Sequence, residues 1–293
     1  MRLALGTVQF GMDYGVANRG GRPDERAIAD ILRMARDCGI DMLDTAPSYG
    51  DSEALLGRDE SAGAFRVVTK TRYYDDARMV DDADVGVAAT LARSLADLGI
   101  SHAYALLIHS VADATGPYAD RIMDAMLEIK HRELVEKIGI TVYAPDDIAR
   151  FRFLAAIDLV QLPLNILDQR FRTSGALAAL KRRGIEIHAR SPFLQGLLLM
   201  APDTVPDHMS VARPIVMRVQ QALKTQGLTP LQGALAFMNT VPEIDYVLVG
   251  VDRAAQLREI ADAATARAAL DFGEFACAAA EIIDPRRWPN FHG

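Results

Sequence analysis

Arg66-Val67-Val68-Thr69-Lys70 is a short β-branched run that ends in a lysine, and two other segments repeat its design: Met42-Leu43-Asp44 and Ala105-Leu106-Leu107-Ile108-His109. Each reads as a strand with a polar residue at its end, and helical patterns separate them. Strands alternating with helices imply a parallel sheet in an α/β protein. Side chains alternate between faces along a strand, so Asp44 shares a face with Met42, Lys70 with Val68 and His109 with Leu107. Tyr49 follows five residues after Asp44 on the adjoining loop. A carboxylate, a phenol, an ammonium and an imidazole gathered at one rim form a proton-donating group.

Working outward, eight strands are expected near 3–6, 41–44, 66–70, 103–109, 138–142, 158–162, 185–190 and 245–250. Helices are expected over Asp24–Cys38, Asp84–Leu98, Tyr118–Arg132, Pro145–Leu154, Thr173–Arg183, Val211–Thr225 and Pro230–Met238. Pro23-Asp24 opens the first helix and Cys38-Gly39 closes it. With no linker rich in Pro, Gly or Ser, residues 1–293 read as a single (β/α)8 barrel. Such barrels keep their chemistry at the C-terminal rim of the strands. The longest irregular stretch, Leu197–Ser210, follows strand seven at that rim. After Arg253 two more helices are expected, to about Ala269 and over Glu274–Ile283. The tail Trp288-Pro289-Asn290-Phe291-His292-Gly293 is placed to cross the mouth, with Trp288 either walling a pocket or pinning the tail.

Composition removes several function classes. The net charge of −7 disfavours non-specific nucleic-acid binding. Lys181-Arg182-Arg183 and Lys130-His131-Arg132 sit at helix C-termini, where cations complement the helix dipole. No stretch approaches the roughly 20 apolar residues of a membrane span. Met1–Gly6 runs straight into a strand, leaving no room for a signal peptide, and the two unpatterned cysteines, Cys38 and Cys277, suit a reducing cytoplasm. No histidine pair has metal-ligand spacing, so no metal is expected.

Leu43-Asp44-Thr45-Ala46-Pro47-Ser48-Tyr49-Gly50, followed by Ser52-Glu53 and Leu55-Leu56-Gly57, resembles the signature of the aldo-keto reductases. The resemblance runs from Leu5-Gly6-Thr7 through Lys70, His109, Lys137–Thr141, Gln161 and Asn165, Ser191–Leu198, and Gly250–Glu259. It implies NADH- or NADPH-dependent reduction of a carbonyl to an alcohol. In that chemistry Tyr49 is the acid, Lys70 stabilises the developing phenolate, Asp44 anchors Lys70 and His109 orients the carbonyl. No side chain donates hydride, so a cofactor is required. The resemblance assigns cofactor contacts to Gly6, Thr7 and Asp44, and the carboxamide to Thr141 and Gln161. It assigns the pyrophosphate to Ser191, Leu194 and Gly196, and the adenosine end to Gly250, Asp252, Gln256 and Glu259.

Three positions depart from the pattern: Val142 and Ile260 each replace an asparagine, and Arg190 replaces the aromatic residue that stacks on the nicotinamide. Arg190 shares a strand face with His188 and Glu186, so it is expected to enter the pocket, or else to pair with a phosphate or with Glu186. The segment Ala189–Gly196 is similar to reductases of bacterial polysaccharide gene clusters, which points to a sugar-like carbonyl. The altered nicotinamide contacts leave a second reading open: a protein that senses bound NAD(P)H and signals to a protein partner.

Overall fold

The computed structural model describes residues 1–18, 20–59, 62–74 and 83–288. Eight parallel strands close on themselves in sequence order: β1 (Arg2–Gly6), β2 (Met42–Asp44), β3 (Arg66–Lys70), β4 (Ala103–Ile108), β5 (Val135–Thr141), β6 (Leu159–Pro163), β7 (Glu186–Arg190) and β8 (Tyr246–Gly250). β8 pairs with β1 in register from Arg2↔Tyr246 to Gly6↔Gly250, which leaves no sheet edge.

Alternation along the strands sorts the core into two layers. Ala4, Met42, Val68, Ala105, Leu107, Leu159 and Leu248 fill the interior. Their neighbours Leu5, Leu43, Val67, Leu106, Val160 and Val249 pack outward against the helices. The helix Glu25–Asp37 shows the outer half of this contact. Ile28, Ile31, Leu32 and Ala35 form its buried stripe, and Asp24 caps it by accepting from the Ala27 amide at 2.8 Å. Each isoleucine or leucine buried this way contributes about 1.5–3 kcal/mol.

The long helices lie close to their expected positions, with the bounds of the fourth and fifth drawn in to Pro145–Arg150 and Ala176–Arg182. The expected helix over 274–283 is instead a 3-10 turn, Phe272–Phe275, and a single helical turn, Ala280–Ile283. The stretch after β7 carries three 3-10 turns, Leu197–Leu199, Pro202–Thr204 and Asp207–Ala212. Trp288 is 7% exposed and packs in the outer core, so it is neither a pocket wall nor a surface pin. The tail expected over the mouth, 289–293, lies outside the described residues.

The N-terminal end of the barrel is closed by charge. The Glu186 carboxylate takes the His188 Nε2 contact at 2.6 Å and a hydrogen bond from Tyr104 Oη at 2.8 Å, and it pairs with Lys137. Burial would raise the Glu186 pKa, but the hydrogen bonds from His188 and Lys137 outweigh it and pull the group down to about 2. A depressed carboxylate stabilises the fold above its unfolded pKa of about 4.3 and loses that contribution as pH falls toward the folded value. Glu186→Gln is therefore expected to cost about 1–3 kcal/mol near neutrality, through polar partners left unmatched. Denaturant melts of both proteins should converge between pH 4.3 and 2; a constant gap across that window would contradict the assignment.

Candidate active site

The three polar strand ends meet at the opposite, C-terminal rim. Asp44 pairs in register with Gly6 and Val68, while Lys70 lies two residues further along β3, opposite Leu107. From there Lys70 reaches back across the interior. Its Nζ donates to Asp44 Oδ1 and to the Thr45 carbonyl, both at 2.8 Å. The two charged side chains are 0% and 5% exposed. The second Asp44 oxygen accepts from Gln161 Nε2 at 2.7 Å, so the carboxylate is held from both sides.

Tyr49 stands over this pair, with Lys70 Nζ 4.9 Å from its ring centroid. Its loop is seated by close backbone approach: a Cβ on Gly11 would lie 1.8 Å from the Tyr49 carbonyl oxygen. A Cβ on Gly50, at φ +57°, would lie 2.4 Å from the Gly11 carbonyl. Burial raises the Tyr49 pKa well above 10; Asp44, Tyr14 and Tyr143 add to this and Arg190 opposes it. The resting phenol is thus held protonated.

His109, just beyond β4, meets Tyr49 edge-to-face with centroids 5.8 Å apart. Its Nδ1 is 3.3 Å from Ser48 Oγ and its Nε2 is 3.2 Å from Tyr73 Oη. The Tyr73 ring also stacks on it at 4.6 Å. Burial, then Lys70 and Arg190, push the His109 pKa well below 6.5, so the imidazole is neutral at physiological pH. A neutral ring between two hydroxyls accepts from one and donates to the other.

From Tyr49 a cavity of about 380 Å³ runs along the rim. Of the residues expected to bind cofactor, Gly6, Thr7, Asp44, Gln161, Arg190, Ser191, Gly196, Gly250, Asp252, Gln256 and Glu259 line it. The Thr7 hydroxyl is spent on the Asp44 carbonyl and Ser52, and its amide also donates to the Asp44 carbonyl, so Thr7 contributes to the wall by shape. Gln256 Oε1 is committed to the amides of Asp252 and Arg253. Two residues sit elsewhere. The Leu194 side chain is 1% exposed and points into the outer core, because φ +48° turns it inward. Thr141 lies outside the lining, in register with Gln161.

The cavity suits an extended dinucleotide. Ser191, Leu194, Gln195 and Gly196 all have positive φ, at 60°, 48°, 54° and 90°. Turns of this kind can present backbone N–H groups to an anion; here the Leu194 and Gly196 amides donate within the turn, to the Ser191 and Phe193 carbonyls at 3.0 Å each. Buried polar atoms without partners lie at both ends of the lining: Arg190 Nε at one, Gln9 Oε1 and Asp252 Oδ1 at the other. A Cβ on Gly250 would meet the end of the Gln9 side chain at 2.3 Å, so Gln9 packs directly against the open face of this glycine. Among the described residues, no group of three or more His, Cys, Asp or Glu could hold a metal ion, and no helix is long and apolar enough to cross a membrane.

Gln9, Tyr73 and Tyr143 were not singled out as site residues by the sequence. Tyr143 had a signal, since it follows Thr141 at strand spacing. Gln9 had none, because its place depends on closure of β8 against β1. Val142 packs outward in the core and shows the cleft only its carbonyl, which accepts from Arg190 Nη2 at 3.2 Å. Glu186 is engaged at the far end of the barrel, so the pairing of Arg190 with Glu186 does not form.

Known proteins resemble this chain in sequence and in fold. The NADH-specific methylglyoxal reductase of Escherichia coli (strain K12) is 25% identical over 221 residues, 67% of this chain and 65% of that protein. The aldo-keto reductase YhdN of Bacillus subtilis (strain 168) is 25% identical over 189 residues, 59% of this chain and 53% of that protein. The match thus spans about half to two thirds of each relative's length. The solved structure of an aldo-keto reductase from Bacillus halodurans, in holo form, has the same fold: TM-score 0.73 over 98% of this chain and 95% of that one, at 19% identity. The model of the aldo/keto reductase family matches residues 2–275, and the chain therefore belongs to that family of NAD(P)H-dependent oxidoreductases.

Proposed function

We propose that this protein reduces an aldehyde or ketone to an alcohol with NADH or NADPH, using Tyr49 as the acid. The observation that carries this is the buried Lys70–Asp44 pair, clamped by Gln161 directly beneath Tyr49 at the end of the cavity. A carbonyl oxygen entering between Tyr49 and His109 meets two groups that are both neutral at rest. Tyr49 gives its proton as the oxygen gains charge. The phenolate left behind is stabilised by the Lys70 ammonium, which Asp44 and Thr45 keep in place. His109, fixed by Ser48 and Tyr73, aims the carbonyl. Thr141 and Gln161 would hold the carboxamide of a bound nicotinamide, and the Ser191–Gly196 turn its pyrophosphate. When bound, that group supplies the hydride.

The cavity's adenosine end favours NADH. Asp252 and Glu259 line it, and Arg253 is the one cation there among the described residues, whereas a 2′-phosphate calls for charge-assisted contacts from several. The E. coli relative is named as NADH-specific, which agrees. Binding titrations are expected to show NADH bound at least as tightly as NADPH; a preference of tenfold or more for NADPH would sink this reading.

For the substrate, a small 2-oxoaldehyde of the methylglyoxal type is the first candidate, by analogy with that relative, and a sugar aldehyde the next. The free thiols of Cys38 and Cys277 suit a cytoplasmic location. The test is oxidation of NADH or NADPH with a panel of such carbonyls. Tight cofactor binding without turnover of any of them would favour the sensor reading, in which occupancy is passed to a protein partner.

A further inference from the structure

We propose that Arg190 makes the cleft discriminate between the two redox forms of its nicotinamide, retaining the reduced, uncharged ring and rejecting the oxidised, cationic one. This rests on the cofactor use proposed above. Arg190 ends β7 and lines the cavity together with Asp44, Tyr49 and Gln161. Its guanidinium is held from two directions: Nη2 donates to the Val142 carbonyl at 3.2 Å, and Cζ lies 4.2 Å from the Tyr143 ring centroid. Arg286 also sits against that ring, at 3.8 Å, so the phenol contacts two guanidinium groups.

The two arginines differ in what balances them. Arg286 is bidentate on Asp284 through Nε at 2.8 Å and Nη2 at 2.6 Å. Lys70, the other cation of the cleft, is matched by Asp44. Arg190 has no carboxylate in ion-pair reach among the described residues, and Glu186 on its own strand face is consumed by Lys137, His188 and Tyr104. Its Nε is shut from solvent with no acceptor. The catalytic end of the cavity therefore holds one fixed positive charge that nothing in the described protein compensates.

A nicotinamide reacting here has to lie beside this charge. Hydride and proton add to the two atoms of one C=O bond, and the reacting atoms must approach within about 3–3.5 Å. Tyr49 fixes where the proton comes from. Gln161 lines the cavity with Arg190, and its register partner Thr141 lies one residue before Val142, whose carbonyl anchors Arg190. A planar guanidinium stacks favourably on a neutral ring. The oxidised ring carries its own positive charge, and like charges a few ångströms apart repel strongly where water is excluded. Release of the oxidised product is thereby favoured, which commits the protein to reduction.

Calorimetric titration with NADH and NAD+ tests this on the wild type, Arg190→Gln and Arg190→Met. The wild type is expected to bind NADH at least tenfold more tightly, about 1.4 kcal/mol. In both variants the ratio should fall toward one, chiefly through tighter NAD+. Equal affinities in the wild type, which needs no variant to measure, would overturn the proposal. So would a ratio unchanged in the variants. If neither form binds the wild type, the nicotinamide reading itself fails and this inference with it.

Discussion

Tyr49→Phe is expected to lower carbonyl reduction by about 10²–10⁴-fold, the usual contribution of a positioned general acid, while nicotinamide binding stays nearly intact. The variant deletes one hydroxyl and keeps the ring over Lys70, so the buried pair and the cavity lining persist. The loss should fall on kcat. Steady-state rates with the best carbonyl, alongside a cofactor titration, separate the two effects. A variant that keeps wild-type turnover would remove Tyr49 from the mechanism, and one that also loses cofactor affinity would give it a binding role instead.

The second large effect concerns stability. Asp44→Asn leaves the Lys70 ammonium in a fully buried position without its counter-charge, which costs about 3–5 kcal/mol. Removing both charges is different in kind. In Asp44→Asn/Lys70→Met the uncompensated ion is gone, and a neutral buried site is often no less stable than the ion pair it replaces. The double variant should therefore unfold at higher denaturant than Asp44→Asn alone, while both remain inactive. An Asp44→Asn protein with the wild-type midpoint would show that the pair carries no such energy. A double variant with wild-type rates would detach the pair from catalysis. The pair is thus read as a catalytic arrangement that the fold tolerates because Thr45 and Gln161 satisfy its remaining hydrogen bonds.

How much of this was legible in the sequence follows from what each feature depends on. The barrel was legible because strand and helix periods are local, and Asp44, Lys70 and His109 each close a recognisable strand. Their convergence followed from alternation and from the rim geometry of barrels. The left-handed turn that starts at Ser191 was not legible, because a positive φ is not written in the residue identity of serine, leucine or glutamine. The helix expected over Glu274–Ile283 is broken, because Phe272 and Phe275 bury themselves from a 3-10 turn and only Ala280–Ile283 is helical. Gln9 against Gly250 and Arg286 against Tyr143 join residues far apart in sequence, and only closure of the chain brings them together. Arg190 was expected in the pocket and lines it, while the alternative partner Glu186 shares its strand face but lies four residues away, at the other end of the barrel.

The most direct test of the account is to follow the hydride itself. NADH carrying deuterium at its transferable position would be incubated with the protein and a panel of small 2-oxoaldehydes and sugar aldehydes, and the alcohols analysed by mass spectrometry. The account predicts one deuterium on the former carbonyl carbon, its appearance lost in Tyr49→Phe. Saturating NADH binding with no deuterated alcohol from any carbonyl would contradict it and make the barrel a cofactor-binding protein that does not turn over.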